Sequence, residues 1–503
     1  MKNRIALLPV DGRPVTRNLP MELAHLAGWQ VVAPEVNDLG FLKQPACVKE
    51  IRAWLMEIAS YVDGLVLSID MLLYGGLVPS RIHVYQVDEL IQRMGLLKEL
   101  KETYPDITLM AFSSTMRISN NNINEEEKSY WEDYGMKLWA LSYHSHRYEK
   151  LGEEQDGLLV EKLKKEIPED ILRDYRNTRQ INFTVNKSLL DLVQEGVLDH
   201  LVFPQDDTSE FGWNVKEQEE LQYIIRNRSL DRFVYLYPGA DEVASTLLTR
   251  MVFQLEQEPL PSFYPVYSGE KGALVPAMYE DRPIAESVKG QLVAIGSRTE
   301  DDFQAADIII GVNVPGQKQG DLALGLNLHQ VDTNDRNVKE WIGRLHAYRK
   351  RKPVAVVDVA YANGADPAMV PLLLDQLEWK ELFGFAAWNT AGNAIGTTVS
   401  QAALIWLADK KGKSSDEDRI KQLVLRMLDD YVYQSITRQK VRAELYKENA
   451  VQLNQVATPL YQKEVSRFLT KYASEWMVES IYYPWERTFE VGVNIRKEGL
   501  NEG

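Results

Sequence analysis

The chain contains a single cysteine, Cys47, in 503 residues. One thiol cannot form an intrachain disulfide, and this is typical of proteins from a reducing compartment. No apolar run approaches the roughly 18 to 20 residues that a transmembrane helix needs. The first residues, MKNRIALLPVDGRP, hold too short an apolar stretch for a secretory signal. We therefore predict a cytoplasmic protein that does not associate with membranes.

Positive charge is scarce as well. Lys and Arg total 57 against 73 for Asp and Glu, which gives a net charge of −16. Nucleic-acid binding depends on a cationic surface, so this composition argues against nucleic acid as a partner. The predicted partner is a small-molecule or oligosaccharide substrate, and the oligomeric state is left open.

Motifs of cofactor-binding loops are also missing. The segment GVNVPG at 311–316 lacks the third glycine of a dinucleotide-binding loop, and there is no Gly-Lys-Ser/Thr phosphate loop. His144 and His146 have zinc-like spacing, but they lie in a helical segment with no cysteine or third histidine nearby, which indicates a structural role. We predict no cofactor and no metal site.

What the chain does contain is a series of apolar, β-branched runs that end in polar, glycine-bearing or proline-bearing loops. Amphipathic helical stretches separate most of them. Near-continuous apolar strands alternating with helices are typical of a parallel sheet buried on both faces, so the predicted class is α/β. The predicted strands are residues 5–10, 31–33, 64–69, 107–112, 201–203, 233–236, 292–295, 308–312, 354–357 and 384–387.

The distinctive polar residues follow the carboxyl ends of these predicted strands, where parallel α/β folds bind ligands. Six or seven contributing loops favour a closed TIM-like (β/α) barrel over an open sheet. A doubly wound two-domain body is the alternative, because the apolar runs outnumber the eight strands of a barrel. We assign residues 1–410 to the barrel-like body, with a helical insert at about 120–195, and 415–503 to a helical C-terminal region without strands.

Asp206 and Asp207 directly follow one predicted strand. Successive side chains within a strand point to opposite faces, but past the strand end both aspartates can face one pocket. Each raises the cost of ionising the other, so packing gives no reason for the pair, whereas acid/base catalysis does. We predict Asp206 and Asp207 as catalytic residues. The structural alternative is a helix cap, in which Asp207 or Thr208 and Glu210 form a capping box.

Other strand-end loops supply side chains suited to hydrogen-bonding a polar substrate. Arginines there match carboxylates, phosphates or sugar hydroxyls, and a Trp-Asn pair offers an aromatic face and an amide to a sugar. The predicted substrate-binding residues are Asp11, Arg13, Asp70, Tyr74, Arg81, Arg117, Glu210, Asp241, Asn363, Asp366, Trp388, Asn389 and Asn393.

These loops resemble an uncharacterised bacterial family, a domain of unknown function that is, like this chain, about 500 residues long. The segments that carry the resemblance are PVDGRPVTR, LLYGGLVPSR, FPQDDTSEFGWN, YPGADE, VDVAYANGADP and WNTAGNAIGT. They cover most of residues 1–410, but the resemblance implies no activity.

The adjacent aspartates are also similar to the catalytic pair of O-GlcNAcase-like β-N-acetylglucosaminidases, which are TIM barrels. That resemblance implies that Asp206 orients and polarises a substrate acetamide whose carbonyl oxygen attacks the anomeric carbon. Asp207 would then be the general acid that protonates the leaving oxygen and later activates water. The first-strand loop, Val10 to Val15, keeps Gly-x-Pro but lacks that family's aromatics.

Three functions therefore stay open on the sequence. The first is a retaining glycoside hydrolase for N-acetylated amino sugars. The second is a divalent-metal hydrolase that uses carboxylates such as Asp11, Asp206, Asp207, Asp241 and Asp358. The third is a saccharide- or metabolite-binding protein without catalysis.

Overall fold

Parallel strands form the centre of both units into which the chain divides. The computed structural model describes residues 3–498. Unit 1 comprises residues 3–12, 30–251 and 279–281, and unit 2 comprises residues 13–29, 252–278 and 282–498. The strands are Arg4–Leu8 (β1), Gln30–Val32 (β2), Gly64–Ser68 (β3), Thr108–Phe112 (β4), His200–Gln205 (β5), Val234–Pro238 (β6), Phe263–Tyr267 (β7), Ile308–Asn313 (β8), Gly320–Asp321 (β9), Val354–Asp358 (β10), Tyr361–Ala362 (β11), Phe385–Ala386 (β12), Trp476–Tyr482 (β13) and Gly492–Lys497 (β14).

Helices connect most of these strands. They are Asn18–Leu26 (α1), Val48–Ile58 (α2), Ile69–Tyr74 (α3), Leu77–Ile82 (α4), Val87–Thr103 (α5), Trp131–Leu151 (α6), Glu154–Glu166 (α7), Glu169–Gln194 (α8), Trp213–Asn227 (α9), Val243–Glu256 (α10), Glu270–Ala273 (α11), Ile284–Ile295 (α12), Leu328–Val331 (α13), Val338–Arg349 (α14), Met369–Gln376 (α15), Ala391–Lys410 (α16), Asp416–Arg426 (α17), Arg438–Glu444 (α18), Ala450–Gln452 (α19) and Thr458–Tyr472 (α20). Met427–Thr437 continues α17 as a π-helix.

Unit 1 is built on a six-stranded parallel sheet in the order β2-β1-β3-β4-β5-β6. Every residue of β3 and β4 is buried, as their continuous apolar sequences predict for a sheet covered on both faces. Leu67 of β3, Leu97 of α5 and Leu189 of α8 belong to one hydrophobic core on this sheet. Three helices, α6 to α8, occupy the segment in which the helical insert was predicted.

Unit 2 contains a four-stranded parallel sheet in the order β12-β10-β8-β7 and a short parallel pair, β9 with β11. Its core includes Trp341 of α14, whose Nε1 donates to the carbonyl of Val266 over 2.7 Å. The parallel sheets confirm the α/β class. The strand pairings of residues 3–498 do not show a closed barrel, so the TIM-like barrel and the doubly wound body both stay predictions.

The predicted strand at 292–295 is wrong, because these residues form the last turn of α12. Val288, Leu292 and Ile295 are buried at helical spacing. A short apolar run does not distinguish the buried face of a helix from a strand.

Strand β7 was not predicted, because Pro265 lies in the middle of it. Proline lacks an N–H donor and is rare inside sheets. Here β7 is the edge strand of its sheet and pairs only with β8, so its other side has no strand within residues 3–498 to which Pro265 would need to donate a hydrogen bond.

The prediction that no strand follows residue 415 is also wrong. Strands β13 and β14 form an antiparallel pair in which Trp476 lies opposite Lys497. A Cβ added at Gly492 would lie 2.2 Å from Cζ of Tyr482, so a larger residue there would displace the tyrosine ring. Helices α17, α18 and α20 do form in this region, as predicted.

Candidate functional site

Two predicted catalytic and two predicted binding residues of unit 1 meet at the carboxyl end of its sheet. Asp206 and Asp207 follow β5 directly, and Arg117 lies in the loop after β4. Arg81 lies in α4, in the connection after β3. Because β3, β4 and β5 are neighbours in the sheet, these connections begin side by side, as the strand-end argument predicted.

Asp70 occupies the first turn of α3 immediately after β3. Ser68 is the N-cap of this helix, and its hydroxyl accepts from the N–H of Met71 over 3.1 Å. The Asp70 carboxylate accepts from the N–H of Ser114 over 2.9 Å and is 3% exposed. Burial raises the pKa of Asp70 to about 6, although the hydrogen bonds from Ser114 and Ser80 and the charge of Arg81 oppose the shift.

Arg81 joins the loop after β5 to a loop that the sequence did not single out. Its guanidinium is buried and lies 2.6 Å from Oδ2 of Asp206 and 2.9 Å from Oε2 of Glu126. Arg81 thus bridges two carboxylates and fixes the loops that carry them, because the planar guanidinium constrains the direction as well as the distance of each hydrogen bond.

Arg117 contacts four carboxylates. Its nitrogens lie 3.1 Å from Asp207, 3.6 Å from Asp206, 3.1 Å from Glu126 and 2.9 Å from Glu127. Burial disfavours its charge, but the four carboxylates outweigh burial and raise the pKa of Arg117 well above its ordinary value. Arg117 is therefore permanently cationic.

We call these six residues the acid–arginine cluster: Arg81, Arg117, Glu126, Glu127, Asp206 and Asp207. The cluster has two cations and four carboxyl groups. This excess of negative charge makes protonation of a carboxyl more favourable than it is in water. Burial, followed by the charge of Asp206, raises the pKa of Asp207 to about 6, against the opposing charges of Arg117 and Arg81. A protonated Asp207 beside an arginine-bound Asp206 is the arrangement of an acid/base pair.

Both aspartates keep one oxygen available. Oδ2 of Asp207 accepts from Arg117 over 3.1 Å and from Ser119 over 3.3 Å, and Oδ2 of Asp206 accepts from Arg81. Within residues 3–498, no donor lies within hydrogen-bond distance of either Oδ1. The two side chains are 17% and 28% exposed. Their Oδ1 atoms are thus the groups that a substrate can contact.

The aspartate loop does not cap a helix, so the capping-box alternative is wrong. Helix α9 begins at Trp213, its N-cap is Gly212, and no side chain caps it. Asp207 has a φ of 40°, a left-handed conformation that is unfavourable for most side chains. A strained residue next to an unusual pKa is a common property of functional sites.

The helical insert holds the end of this loop. Ser142 of α6 accepts from the N–H of Trp213 over 2.7 Å, and Nδ1 of His146 accepts from the N–H of Gly212 over 3.2 Å. Phe211 packs edge-on against the rings of Tyr143 and His146. His146 therefore has the structural role that its sequence context indicated.

Uncharged polar groups without partners lie near the same strand ends. Both side-chain atoms of Gln205, the last residue of β5, are buried and make no hydrogen bond within residues 3–498. The same is true of the hydroxyl of Thr115, whose backbone pairs with Gln205. Buried polar groups normally have partners, so these groups indicate a ligand or water at the site.

The remaining predicted residues of unit 1 do not belong to the acid–arginine cluster. Asp11 and Asp241 are buried. The Tyr74 hydroxyl is buried without a partner in residues 3–498, and burial, followed by the charge of Asp70, raises the pKa of Tyr74 well above its ordinary value. Glu210 is exposed, and its charge acts on Tyr143 of the insert.

The other predicted residues lie in unit 2. Asn363 donates to Asp321 over 2.9 Å, and its N–H donates to the carbonyl of Asn389 over 3.0 Å. Asn393 donates to Thr390 over 3.1 Å. Asp366, Arg13 and Trp388 are also buried there.

Asp366 belongs to a buried polar network at the ends of β8 and β10. Arg336 donates to Asp366 over 2.7 Å, and both side chains are fully buried. Asn313 donates to Asp358 and to Asp366 over 2.9 and 3.0 Å. Burial, followed by the charge of Asp366, raises the pKa of Asp358 to about 7.

Residues 5–494 match the model of a family described as "Protein of unknown function (DUF4127)". The chain belongs to this family. The predicted membership of a family of unknown function is thereby confirmed. No curated protein and no solved structure matches the chain. The likeness to O-GlcNAcase-like enzymes stays a prediction.

Several residues of the acid–arginine cluster and of the Asp366 network were not predicted from the sequence. Glu126 and Glu127 lie in a loop between β4 and α6, where no strand end marks them. Arg336 and Asn313 carry no motif either, although Asn313 directly follows the predicted strand at 308–312 and that position was a usable signal.

Two further observations concern ligands and membranes. Among residues 3–498, no three His, Cys, Asp or Glu side chains are grouped in a way that could hold a metal ion. Nor does that part of the chain contain a helix with the length and apolar character needed to cross a membrane.

Proposed function

We propose that the protein is a retaining glycoside hydrolase in which Asp206 and Asp207 carry the chemistry. The observation that carries the proposal is the asymmetry of the pair. Asp207 is the more exposed aspartate and has a pKa raised to about 6, whereas Asp206 is bound by Arg81. One carboxyl is thus suited to donate a proton near neutral pH, and its neighbour is paired with a buried arginine.

The proposed reaction is substrate-assisted cleavage of an N-acetylated amino sugar glycoside. Asp206 accepts the acetamide N–H through Oδ1, and the acetamide oxygen attacks the anomeric carbon. The bond from that carbon to the leaving oxygen breaks, and the leaving oxygen takes the proton of Asp207. Asp207 then removes a proton from water, which opens the cyclic intermediate with net retention.

A hydroxyl-rich substrate agrees with the uncharged groups near the aspartates. Gln205 can both donate and accept, and the hydroxyl of Thr115 can do the same. Such groups match sugar hydroxyls and amides, and they would gain hydrogen bonds that they lack in the free protein.

The proposed chemistry does not depend on a closed barrel, but a TIM-like barrel is the finer fold that we propose. Along β1-β3-β4-β5-β6 and along β12-β10-β8-β7 the neighbouring strands follow chain order, as in a (β/α) barrel, whereas β2 lies on the other side of β1. An experimental structure tests this.

A second candidate function is saccharide or metabolite binding without catalysis. It is favoured by the ion pairs that Arg81 and Arg117 already make with both aspartates. A carboxylate held in this way can bind a ligand without ever transferring a proton.

Hydrolysis of a panel of aryl N-acetylglycosaminides separates the two functions. Asp207→Asn should lower kcat/KM about 10²- to 10⁴-fold for a poor leaving group, the usual contribution of a general acid. The same variant should lose much less on a dinitrophenyl glycoside, which needs no protonation. Asp206→Asn should lose activity on both substrates, because it acts on the acetamide.

Asp191→Asn is the matched control, since Asp191 pairs with Arg228 on the surface of α8 and α9. Its kinetics should equal those of the wild type. Saccharide binding by calorimetry without turnover of any glycoside, with equal affinity in Asp207→Asn, would establish the binding function instead.

A further inference from the structure

Arg438, the first residue of α18, is a buried cation that forms no ion pair with an acidic side chain of residues 3–498. The residue is 5% exposed. Its Nη1 donates to Oε1 of Gln434 over 3.1 Å, and its Nε makes no hydrogen bond within residues 3–498. Glu490 and Asp321 act on it only through space. A guanidinium in this position is unfavourable unless a counter-ion accompanies it.

Trp388 supplies a second hydrogen-bond donor, and both Trp388 and Arg438 lie against the ring of Phe489. The Cζ atom of Arg438 lies 4.9 Å from the ring centre of Phe489, and the Trp388 ring lies 5.3 Å from it. Nε1 of Trp388 is buried and has no hydrogen-bond partner among the described residues. Phe489 is itself only half-buried, so this ring is the part of the group that solvent reaches.

More positive charge surrounds these two donors. The Cζ atom of Arg487 lies 5.1 Å from the Phe489 ring centre and 4.8 Å from that of Trp485. Arg13 lies over Trp485 at 4.6 Å. Glu490 is the carboxylate that pairs with both of these arginines, at 3.5 Å from Arg13 and 2.8 Å from Arg487.

We propose that Arg438 and Trp388 bind an oxyanion, the phosphate or carboxylate group of a small ligand. Both side chains are donors only, so their partner must be an acceptor. An oxyanion supplies the counter-charge for Arg438 and an oxygen for the indole N–H. All of these residues belong to unit 2, and the inference is independent of the hydrolase proposal.

Inorganic phosphate and malonate, each added at constant ionic strength against chloride, are the probes. We expect one of them to bind the full-length protein saturably in calorimetry and to raise its Tm. Tighter binding of phosphate identifies a phosphate-bearing ligand, and tighter binding of malonate identifies a carboxylate-bearing one. Arg438→Met should weaken binding at least tenfold, and Trp388→Phe, which keeps an aromatic ring, should weaken it several-fold.

Arg442→Met is the matched control, because Arg442 lies one turn along the same helix and is exposed. It should bind the anion as the wild type does. Because Arg438 lacks a counter-ion in the free protein, Arg438→Met should unfold at a Tm no lower than that of the wild type without anion. The proposal is wrong if neither anion binds the wild type, or if Trp388→Phe and Arg438→Met bind it with unchanged affinity.

Discussion

Nη2 of Arg81 donates to Oδ2 of Asp206 across 2.6 Å, although 125 residues separate the two in the chain. The guanidinium is 2% exposed and the carboxylate 17%. Glu126 occupies the other side of the same guanidinium at 2.9 Å. One buried cation therefore holds two anions, and its removal leaves both to Arg117, which lies 3.6 Å from Asp206 and 3.1 Å from Glu126.

We expect Arg81→Met to lower the free energy of unfolding by about 2 to 4 kcal/mol at pH 7, because it removes the closer cation from two partly buried carboxylates. Urea unfolding of both proteins at pH 7 measures this loss. Arg52→Met, which breaks an exposed pair with Glu99, should cost less than about 1 kcal/mol. Equal losses in the two variants would contradict this account.

Arg117→Met should move the alkaline limb of the kcat/KM profile to higher pH. The charge of Arg117 lowers the pKa of Asp207, so its removal raises that pKa further above 6. Since Asp207 is the proposed acid, activity should then persist to a pH about one unit higher. Hydrolysis rates from pH 4 to 9 measure the limb. Arg228→Met is a surface control, and a limb that stays in place or moves down contradicts the assignment.

Asp366→Asn should affect stability rather than substrate binding. Asp366 and Arg336 are 2.7 Å apart and fully buried, so breaking the pair should cost about 3 to 5 kcal/mol. Asp332→Asn is a close control, because Asp332 pairs with the same arginine at 3.2 Å but is 66% exposed. It should cost less than about 1 kcal/mol. A raised KM with unchanged stability in Asp366→Asn would show that Asp366 binds substrate.

Asp430 should make the protein less stable as pH rises. Burial outweighs the nearby Arg426 and raises the pKa of Asp430 from 3.8 to about 7. Between these values the folded state holds a proton that the unfolded state has lost, so this group's contribution falls with rising pH and is fully lost above about pH 7. Asp430→Asn should remove a slope of up to about 1.4 kcal/mol per pH unit. Unfolding of both proteins in urea between pH 4.5 and 8 compares their slopes, and parallel curves would contradict the shift.

The position of polar residues after the carboxyl ends of predicted parallel strands was enough to place part of the site. Asp206, Arg81 and Arg117 were predicted from their positions after apolar runs, and the structure brings them together because neighbouring parallel strands end at one edge. Glu126 lies in a loop without a hydrophobic pattern, so only the three-dimensional path of that loop shows its contact with both arginines.

The division into units was not readable from the sequence either. Residues 13–29 leave the strand region that precedes them and join unit 2. Composition does not change at residue 13, and membership of a unit depends on contacts with residues far along the chain. Helix α1, for example, places Glu22 within 2.8 Å of Gln422.

Gln205 offers a direct test of whether the strand-end groups serve a ligand. Its carboxamide is buried without partners in residues 3–498, so Gln205→Met should leave the free energy of unfolding unchanged or raise it by up to about 1 kcal/mol. The same change removes hydrogen bonds to a bound sugar and should raise KM about three- to tenfold. Gln194→Met, on the exposed face of α8, should change neither quantity. Thermal unfolding and the kinetics of the hydrolysed aryl glycoside measure both effects, and a destabilised variant with an unchanged KM would make Gln205 a structural residue.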